Sequence, residues 1–300
     1  MFAKKSLGQN FLKSESALNE IISAGRVTEG DFVLEIGPGR GALTEKILET
    51  GAKVLAIEKD AELIDFLHEN FKTQVESGQL TIKEADILEF DENTGISDVF
   101  GAESSENQGK YKLIANIPYY ITGAIIRKFL SSENQPELAV LLVQKEVAER
   151  IISKPEKNGT DKHPKNKGSL LSMSVKAYSE PKYVKTVLAG SFAPAPSVDS
   201  AIILLENINK DKFMTGNTST PCSENPEQKI SEEKFFDILH AGFAHKRKVL
   251  RKNLESFTKQ NNIDKSKISE ALKSVGKSET SRAEELEIDD WVCLLKKLSS

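Results

Sequence analysis

Short apolar runs alternate with amphipathic helical patterns through the first two thirds of the chain. The runs are rich in aliphatic and β-branched residues and are flanked by polar turn residues, which is typical of strands. Seven strands are predicted, at residues 32–36, 53–58, 80–85, 111–115, 138–143, 183–188 and 201–205. Strands that alternate with helices indicate an α/β fold with a parallel sheet covered by helices.

Helical patterns fill most of the gaps between these strands. Three are predicted at residues 42–50, 121–130 and 145–152, and Asp60 is placed to cap a fourth. The last two strands are joined by the short turn 194–197, which contains two prolines. Strands joined by a short turn are antiparallel, so the sheet is expected to close with an antiparallel strand.

The pattern changes after Glu206, where the strand signal ends. Residues 207–230 are polar and contain Pro221 and Pro226, which predicts a linker or an insertion. Residues 231–300 are helical in pattern and predict a small all-α domain. We therefore divide the chain into 1–206, with an N-terminal segment 1–30, the linker 207–230 and the helical domain 231–300.

Composition narrows the class of protein. The chain has 300 residues, 38% hydrophobic and 29% charged, with no apolar run of the length that spans a membrane. Its two cysteines, Cys222 and Cys293, do not provide a disulfide framework, and the start lacks the apolar core of a signal peptide. We expect a cytoplasmic protein that does not bind a membrane. The net charge of −4 argues, as an average, against a nucleic-acid binder.

A glycine loop lies between the first strand and the helix that follows it. Gly37 and Gly39 allow a ligand to approach the backbone, and the helix start offers unpaired N–H groups. Together with Ala42 they also match a dinucleotide pattern, and Glu58 suits a ribose diol in either case. Glu35 favours S-adenosylmethionine, because a carboxylate before the loop repels a pyrophosphate and tolerates a cationic ligand. An exposed strand-end position is the alternative for Glu35.

Two further strand ends carry candidate chemistry. Asp86 follows the third strand, where its carboxylate could accept a hydrogen bond from an adenine amino group or simply form a turn. Asn116, Ile117, Pro118 and Tyr119 follow the fourth strand, at the edge where open α/β sheets bind ligands.

The segment that starts at Asn116 suits catalysis on an exocyclic adenine amine. That amine is a poor nucleophile, and two acceptors, the Asn116 side chain and the Ile117 carbonyl, would favour its pyramidal form. Pro118 fixes the turn and Tyr119 can stack on the base. A strand-ending turn followed by core tyrosines is the alternative interpretation. Phe192 could stack on the other face of a flipped base, or pack in the core.

These motifs together resemble one family, the bacterial rRNA adenine N6-dimethyltransferases, and within it the small-subunit type. The resemblance runs in order from Leu7 to the C-terminal helices. Its motifs are Gly8-Gln9-Asn10-Phe11-Leu12, Leu34 to Gly41, Glu58, Asp86, Asn116 to Tyr120, Gln144 to Arg150 and Phe192 to Ser200. The stretches 93–109, 153–168 and 207–228 look longer than is usual for the family.

The resemblance implies a fold, a reaction and a set of residues. The fold is a Rossmann-like S-adenosylmethionine-dependent methyltransferase sheet with a helical C-terminal domain, so residues 1–206 would be catalytic. The reaction is dimethylation of N6 on two adjacent adenosines near the 3′ end of small-subunit rRNA. The matching cofactor contacts are Asn10, Leu12, Gly37, Glu58, Asp86 and Asn116, and we add Gly39 from its place in the loop.

Charge is distributed unevenly along the chain. Five cations lie within seven positions on a segment predicted to be helical, and we expect them to bind the rRNA backbone: Lys246, Arg247, Lys248, Arg251 and Lys252. The four histidines show no metal-ligand spacing, so no metal is predicted. The expected partner is small-subunit rRNA or an immature small subunit, bound by a monomer.

Three alternative functions remain open from the sequence. A non-enzymatic RNA-binding assembly factor would be expected to lack Glu58 or the turn at Asn116, and both are present. An NAD-dependent dehydrogenase would bind NAD in place of S-adenosylmethionine. A methyltransferase of the antibiotic-resistance type would act on large-subunit rRNA.

Overall fold

The computed structural model describes Lys4 and residues 8–100, 110–153, 168–214 and 229–299. They form two compact units. The first contains Met1–Ala148 and Ser179–Ile208, and the second contains Glu149–Tyr178 and Asn209–Ser300. Cys222 and most of the long stretches 93–109, 153–168 and 207–228 lie outside the described residues.

Nine strands are formed by the described residues. They are β1 (Phe11–Leu12), β2 (Phe32–Ile36), β3 (Lys53–Glu58), β4 (Leu80–Glu84), β5 (Lys112–Asn116), β6 (Leu138–Gln144), β7 (Glu180–Val187), β8 (Phe192–Ala193) and β9 (Ser200–Glu206). The helices of the first unit are α1 (Glu15–Gly25), α2 (Ala42–Glu49), α3 (Ala61–Asn70), α4 (Lys72–Glu76), α5 (Glu92–Phe100), α6 (Thr122–Ser131) and α7 (Lys145–Ile152). The last of them, α7, belongs to the first unit up to Ala148 and to the second unit from Glu149.

Seven of the strands form one sheet in the order β4-β3-β2-β5-β6-β9-β7. The five strands from β4 to β6 are parallel, and β9 runs antiparallel to both β6 and β7. Every residue of β2 is buried, as expected for a strand covered on both faces. The α/β fold with an antiparallel closing strand is confirmed, and the seven predicted strands agree with the observed ones to within a few residues.

The remaining two strands, β1 and β8, were not predicted. They pair with each other, Phe11 opposite Ala193 and Leu12 opposite Phe192, and the Lys13 N–H donates to the Ser191 carbonyl at 2.8 Å. This small sheet fixes the N-terminal segment against the loop that connects β7 with β9.

Residues 92–100, at the start of the stretch that looks long for the family, form helix α5. Asp91 caps α5 through hydrogen bonds from the Asn93 and Thr94 N–H groups. Ile96 and Phe100, four positions apart, are buried, and the Phe100 ring lies 4.7 Å from that of Phe32. The helix therefore packs on the core, although its composition is that of a loop.

The second unit is helical. Its helices are α8 (Leu170–Lys176), α9 (Asp211–Met214), α10 (Glu232–Phe243), α11 (Leu250–Gln260), α12 (Lys267–Ser274) and α13 (Ile288–Ser299). Phe235, Phe257 and Trp291 are fully buried in it. Residues 149–178 group with these helices and not with the sheet, and so do the described residues of the predicted linker from Asn209 onward. Among the described helices, none has the length and apolar character needed to cross a membrane.

Candidate active site

A pocket opens at the carboxyl edge of the parallel strands in the first unit. It is lined by the loops that follow β2, β3, β4 and β5, and by the N-terminal segment. Ten of the predicted site residues line it together: Asn10, Leu12, Gly37, Gly39, Glu58, Asp86, Asn116, Ile117, Pro118 and Tyr119. Such an edge is where open α/β sheets bind ligands, since consecutive loops converge there.

The glycine loop adopts backbone conformations that other residues resist. Gly37, Gly39 and Gly41 all have positive φ, at 66°, 60° and 81°. A Cβ on Gly41 would lie 2.4 Å from the Phe71 ring, and one on Gly39 would lie 3.0 Å from the Phe11 ring. The loop therefore needs glycine for its turn and for close packing as well as for any ligand.

Glu58 ends β3 and is held by backbone donors. Its Oε1 accepts from the Lys59 and Asp60 N–H groups at 2.9 and 3.0 Å, and its Oε2 accepts from the Gly39 N–H at 3.2 Å. Burial raises the pKa of Glu58, and these three hydrogen bonds oppose the rise. The carboxylate is thus fixed in direction, with acceptor capacity left for a ligand hydroxyl.

Asp86 lies across the pocket in an ion pair that the sequence did not predict. Its Oδ2 lies 2.6 Å from the Lys59 Nζ, and its Oδ1 accepts from the Leu88 N–H at 2.9 Å. The Lys59 ammonium, followed by that N–H, lowers the pKa of Asp86 below its usual range. Asp86 is therefore an ionised acceptor at neutral pH, as the recognition of an amino group requires.

Glu35 is buried at the base of the pocket rather than exposed at a strand end. It is 1% exposed, and among the described residues neither of its oxygens has a hydrogen-bond partner. Burial raises the pKa of Glu35 to about 8, and the nearby Thr44 hydroxyl opposes part of that rise. A buried acid without partners is costly to ionise, so Glu35 favours either a proton or a cationic ligand.

Asn116 is oriented by the N-terminal segment. Its Nδ2 donates to the Asn10 carbonyl at 3.1 Å, and no described residue donates to its Oδ1. The N–H of the next residue, Ile117, donates a hydrogen bond to the Leu142 carbonyl. The side-chain oxygen of Asn116 and the backbone of Ile117 are thus both fixed at the pocket.

Two tyrosines follow Pro118 and have different surroundings. The Tyr119 hydroxyl lies 2.7 Å from the Ser200 Oγ of β9, and its ring is half-buried. Tyr120 lines the pocket but is 67% exposed. Tyr119 is therefore not simply a core residue, because its half-buried ring lines the pocket. The hydrogen bond to Ser200 holds the ring in that position.

Phe192 is placed differently from the base-stacking prediction. Its side chain is 2% exposed, belongs to the hydrophobic core with Leu12, Ala17 and Leu18, and is absent from the described pocket lining. The pairing of β1 with β8 explains this position, because it sets Phe192 opposite Leu12. The core-packing alternative for Phe192 fits this structure, and the base-stacking role does not.

The basic segment of the second unit is part turn and part helix: Lys246, Arg247 and Lys248 lie in a turn and not in the predicted helix, whereas Arg251 and Lys252 lie in α11. Residues 244–249 separate α10 from α11, since the Asn253 Nδ2 donates to the Gly242 and His245 carbonyls and so ends α10. Lys246, Arg247, Lys248 and Lys252 are exposed. Arg251 is partly buried and lies 3.9 Å from a carboxylate oxygen of Glu279. We call these five cations, three in the turn and two at the start of α11, the basic turn.

Several contributing residues were missed from the sequence. Gln9 and Asp60 fasten the N-terminal segment, Lys59 pairs with Asp86, and Ser200 holds Tyr119. Each acts on a residue far away in the chain, so the motifs that contain Gln9 and Ser200 and the helix cap at Asp60 gave no sign of these contacts. Within the described part of the chain, His, Cys, Asp and Glu form no group of three suited to a metal ion.

Comparison with known proteins decides the family. The sequence model of "Ribosomal RNA adenine dimethylase" matches residues 2–294. The chain belongs to the ribosomal RNA adenine dimethylase family. It is an S-adenosylmethionine-dependent methyltransferase with a Rossmann-like sheet, as the motifs predicted.

Relatives and solved structures of this family agree over almost the whole chain. "Ribosomal RNA small subunit methyltransferase A" of Dehalococcoides mccartyi is 37% identical, covering 97% of this chain and 88% of the relative. A dimethyladenosine transferase from Plasmodium falciparum is 25% identical with a TM-score of 0.70, covering 96% of this chain and 97% of that structure. The 23S rRNA methyltransferase ErmE is 20% identical with a TM-score of 0.67, covering 97% and 100%, and shares the fold.

The residues of the pocket fit the methyl donor of the family. Glu35, Glu58 and Asp86 place three carboxyl groups around one pocket. They suit a ligand with a diol, an amino group and positive charge, and they would repel the pyrophosphate of a dinucleotide. The unpartnered Glu35 carboxyl adds a site for which a cation would compensate.

Proposed function

We propose that this chain methylates N6 of two adjacent adenosines near the 3′ end of small-subunit rRNA, with S-adenosylmethionine as donor, during small-subunit assembly. The name of the Dehalococcoides relative and its 37% identity support the small-subunit substrate. The observation that carries the chemistry is Asn116, a residue of the pocket lining whose amide nitrogen donates to the Asn10 carbonyl, which leaves its oxygen as an acceptor.

The cofactor would be held by residues from four loops and from the N-terminal segment. Glu58 would accept from the ribose hydroxyls, and Asp86 from the adenine amino group, since both are oriented acceptors. Gly37 and Gly39 would allow close approach to the backbone, and Asn10, Leu12 and Asn116 complete the set. When bound, S-adenosylmethionine supplies an electrophilic methyl group on a sulfonium.

The target amine would be bound by two acceptors. The Asn116 Oδ1 and the Ile117 carbonyl would accept hydrogen bonds from the two N–H groups of the N6 amino group. These two hydrogen bonds favour the pyramidal form of the amine, in which the nitrogen lone pair is available. Because positive charge develops on N6 during transfer, the same two oxygens stabilise the transition state more than the ground state. No general base is needed, since the proton can leave after the methyl group has been transferred.

Pro118 and Tyr119 would position the base. Pro118 has φ of −55° and ψ of 129°, which turns the chain away from β5, and its carbonyl accepts from the Ile121 N–H. The Tyr119 ring, held by Ser200, offers a flat surface on which the flipped adenine would stack. Orientation of the amine toward the donor is the main contribution of these residues.

The rRNA would be bound by exposed cations. The basic turn is suited to phosphate contacts, which are electrostatic and independent of sequence. We propose that residues 1–206 are the catalytic part, that residues 231–300 help to hold rRNA, and that a monomer acts on the immature subunit in the cytoplasm.

The test is methyl transfer from labelled S-adenosylmethionine to immature small subunits from cells that lack this activity. We expect label on two adjacent adenosines near the 3′ end of the rRNA, located by mapping of the modified bases. Label confined to large-subunit RNA would instead support the large-subunit activity, and binding of rRNA without any label would support an assembly factor that is not an enzyme.

A further inference from the structure

The N-terminal strap, defined as residues 8–13, forms one wall of the pocket. Five of its residues, from Gly8 to Leu12, line the pocket. Its far end is fixed by the pairing of β1 with β8, and the Phe11 ring lies 4.8 Å from the Arg40 guanidinium carbon. The near end is fixed differently, through the side chain of one glutamine.

Gln9 is bound at both ends of its amide. Its Oε1 accepts from the Lys4 N–H at 2.8 Å, and its Nε2 donates to Asp60 Oδ2 at 2.8 Å. The other oxygen of Asp60 accepts from the Lys4 Nζ at 2.7 Å and from the Glu62 N–H at 3.2 Å. Asp60 is 5% exposed, so the contact with Gln9 is shielded from water.

This contact connects two parts of the proposed site. On one side, the Asp60 N–H donates to Glu58 Oε1, the carboxylate proposed for the cofactor ribose. On the other side, the residue after Gln9 is Asn10, whose carbonyl accepts from the Asn116 Nδ2. A displaced Gln9 would therefore release the group that orients the Asn116 oxygen.

We propose that Gln9 and Asp60 are positioning residues for methyl transfer, which hold the strap so that the Asn10 carbonyl orients Asn116 and closes the cofactor site. This inference rests on the roles proposed above for Glu58 and Asn116. Neither Gln9 nor Asp60 touches the reacting atoms. They act through the strap, and their effect is expected on both cofactor binding and the rate of transfer.

A reciprocal pair of substitutions tests this assignment. Gln9→Ala removes the contact with Asp60. Gln9→Glu sets two carboxyl groups against each other. Asp60→Asn keeps an oxygen for the Glu62 N–H, so α3 remains capped, but presents an NH₂ group to the Gln9 NH₂. The double variant Gln9→Glu/Asp60→Asn restores the hydrogen bond in the opposite direction, because the introduced amide donates to the introduced carboxylate.

The expected results separate positioning from stability. We expect Gln9→Ala to weaken S-adenosylmethionine binding and to lower kcat, each by about tenfold, as loss of a shielded hydrogen bond to a carboxylate would do. Gln9→Glu should lower both S-adenosylmethionine affinity and kcat by more than Gln9→Ala does. The double variant should return to within about threefold of the wild type, while KM for rRNA stays unchanged in all four proteins.

Gln79→Ala is the matched control. Gln79 also holds backbone with its Nε2, which donates to the Leu48 and Ala52 carbonyls, but it does not line the pocket. It should lower the Tm and leave kcat unchanged. An equal fall of kcat in Gln79→Ala and Gln9→Ala, or a double variant no better than Gln9→Glu, would overturn the inference.

The two proposals can fail separately. If the wild type transfers methyl groups to rRNA and the Gln9 variants match it in kcat and in cofactor affinity, only the positioning role is wrong. If the wild type transfers none, the proposed function is wrong, and equilibrium dialysis of S-adenosylmethionine across the same variants still decides whether Gln9 and Asp60 close the cofactor site.

Discussion

The pocket of the first unit and the basic turn of the second differ in how their polar groups are held. Around the pocket, Glu58 accepts three backbone hydrogen bonds and Asn116 is bound to the Asn10 carbonyl. In the basic turn, four of the five cations are exposed. Chemistry on one atom requires fixed groups, whereas attraction of a phosphate backbone requires only charge in the right region.

This difference predicts two kinds of variant. Changes at the pocket should alter the rate of transfer or the cofactor affinity and leave rRNA affinity intact. Changes in the basic turn should alter rRNA affinity and its dependence on salt and leave the rate at saturation intact.

The largest effect is expected for Asn116→Ala. It removes one of the two acceptors proposed for the target amine, and loss of one such preorganised group typically costs about 10²–10³ in rate. Single-turnover methyl transfer should fall by that factor, while rRNA affinity, measured by filter binding, stays within about twofold. A parallel loss of rRNA affinity would break the division between the two regions.

Glu58→Gln should have the next largest effect. A glutamine must direct an NH₂ group at one of the backbone N–H donors that Glu58 now accepts from, so the side chain loses its orientation. We expect S-adenosylmethionine to bind about 10–100-fold more weakly by calorimetry. Glu49→Gln, at an exposed position paired with Lys46, is the control and should bind the cofactor normally.

Substitution of Lys246, Arg247 and Lys248 by serine should have a smaller effect. Loss of these three cations should weaken rRNA binding at least about tenfold and lower the slope of log K against log salt by roughly 2–3, since each phosphate contact contributes a little under one. kcat at saturating rRNA should not change. A fall in kcat with an unchanged salt slope would place the basic turn in the chemistry instead.

The smallest effect concerns stability and pH at Glu35. Burial raises its pKa to about 8, so between pH 4.5 and 8 the folded protein keeps a proton that the unfolded chain has lost. Stability from this group therefore falls as pH rises through that window. Glu35→Gln should gain on the order of 1 kcal/mol relative to the wild type between pH 6 and 8, measured by urea unfolding. A constant difference between the two proteins would show that Glu35 is already ionised at pH 6.

The sheet could be predicted from the sequence because its strands are continuous apolar runs. β2 and β6 are buried on both faces, and burial of that kind selects apolar residues, which fill β6 from Leu138 to Val143 and every position of β2 except Glu35. β1 and β8 have two residues each and carry no periodicity, and their pairing joins positions far apart in the chain, such as Leu12 and Phe192. Helix α5 has too many polar residues for its packing on Phe32 to be recognised.

The candidate site was predictable where function depends on a local motif. The motifs around Gly37 and Asn116 lie at strand ends, and the parallel sheet brings strand ends together. The contacts of Gln9 with Asp60 and of Tyr119 with Ser200 depend on the folded chain, and so does the burial of Phe192. The helical prediction failed only for Lys246, Arg247 and Lys248, because the contact that ends α10 comes from Asn253 of the following helix.

The most direct test compares two variants across a series of salt concentrations. For Asn116→Ala and for the triple serine variant of the basic turn, rRNA affinity and the single-turnover rate at saturating rRNA are measured together. We predict that Asn116→Ala lowers the single-turnover rate and leaves both rRNA affinity and its dependence on salt unchanged. The triple serine variant should keep the single-turnover rate and show weaker rRNA affinity with a smaller dependence on salt. Loss of the same quantity in both variants would contradict the account.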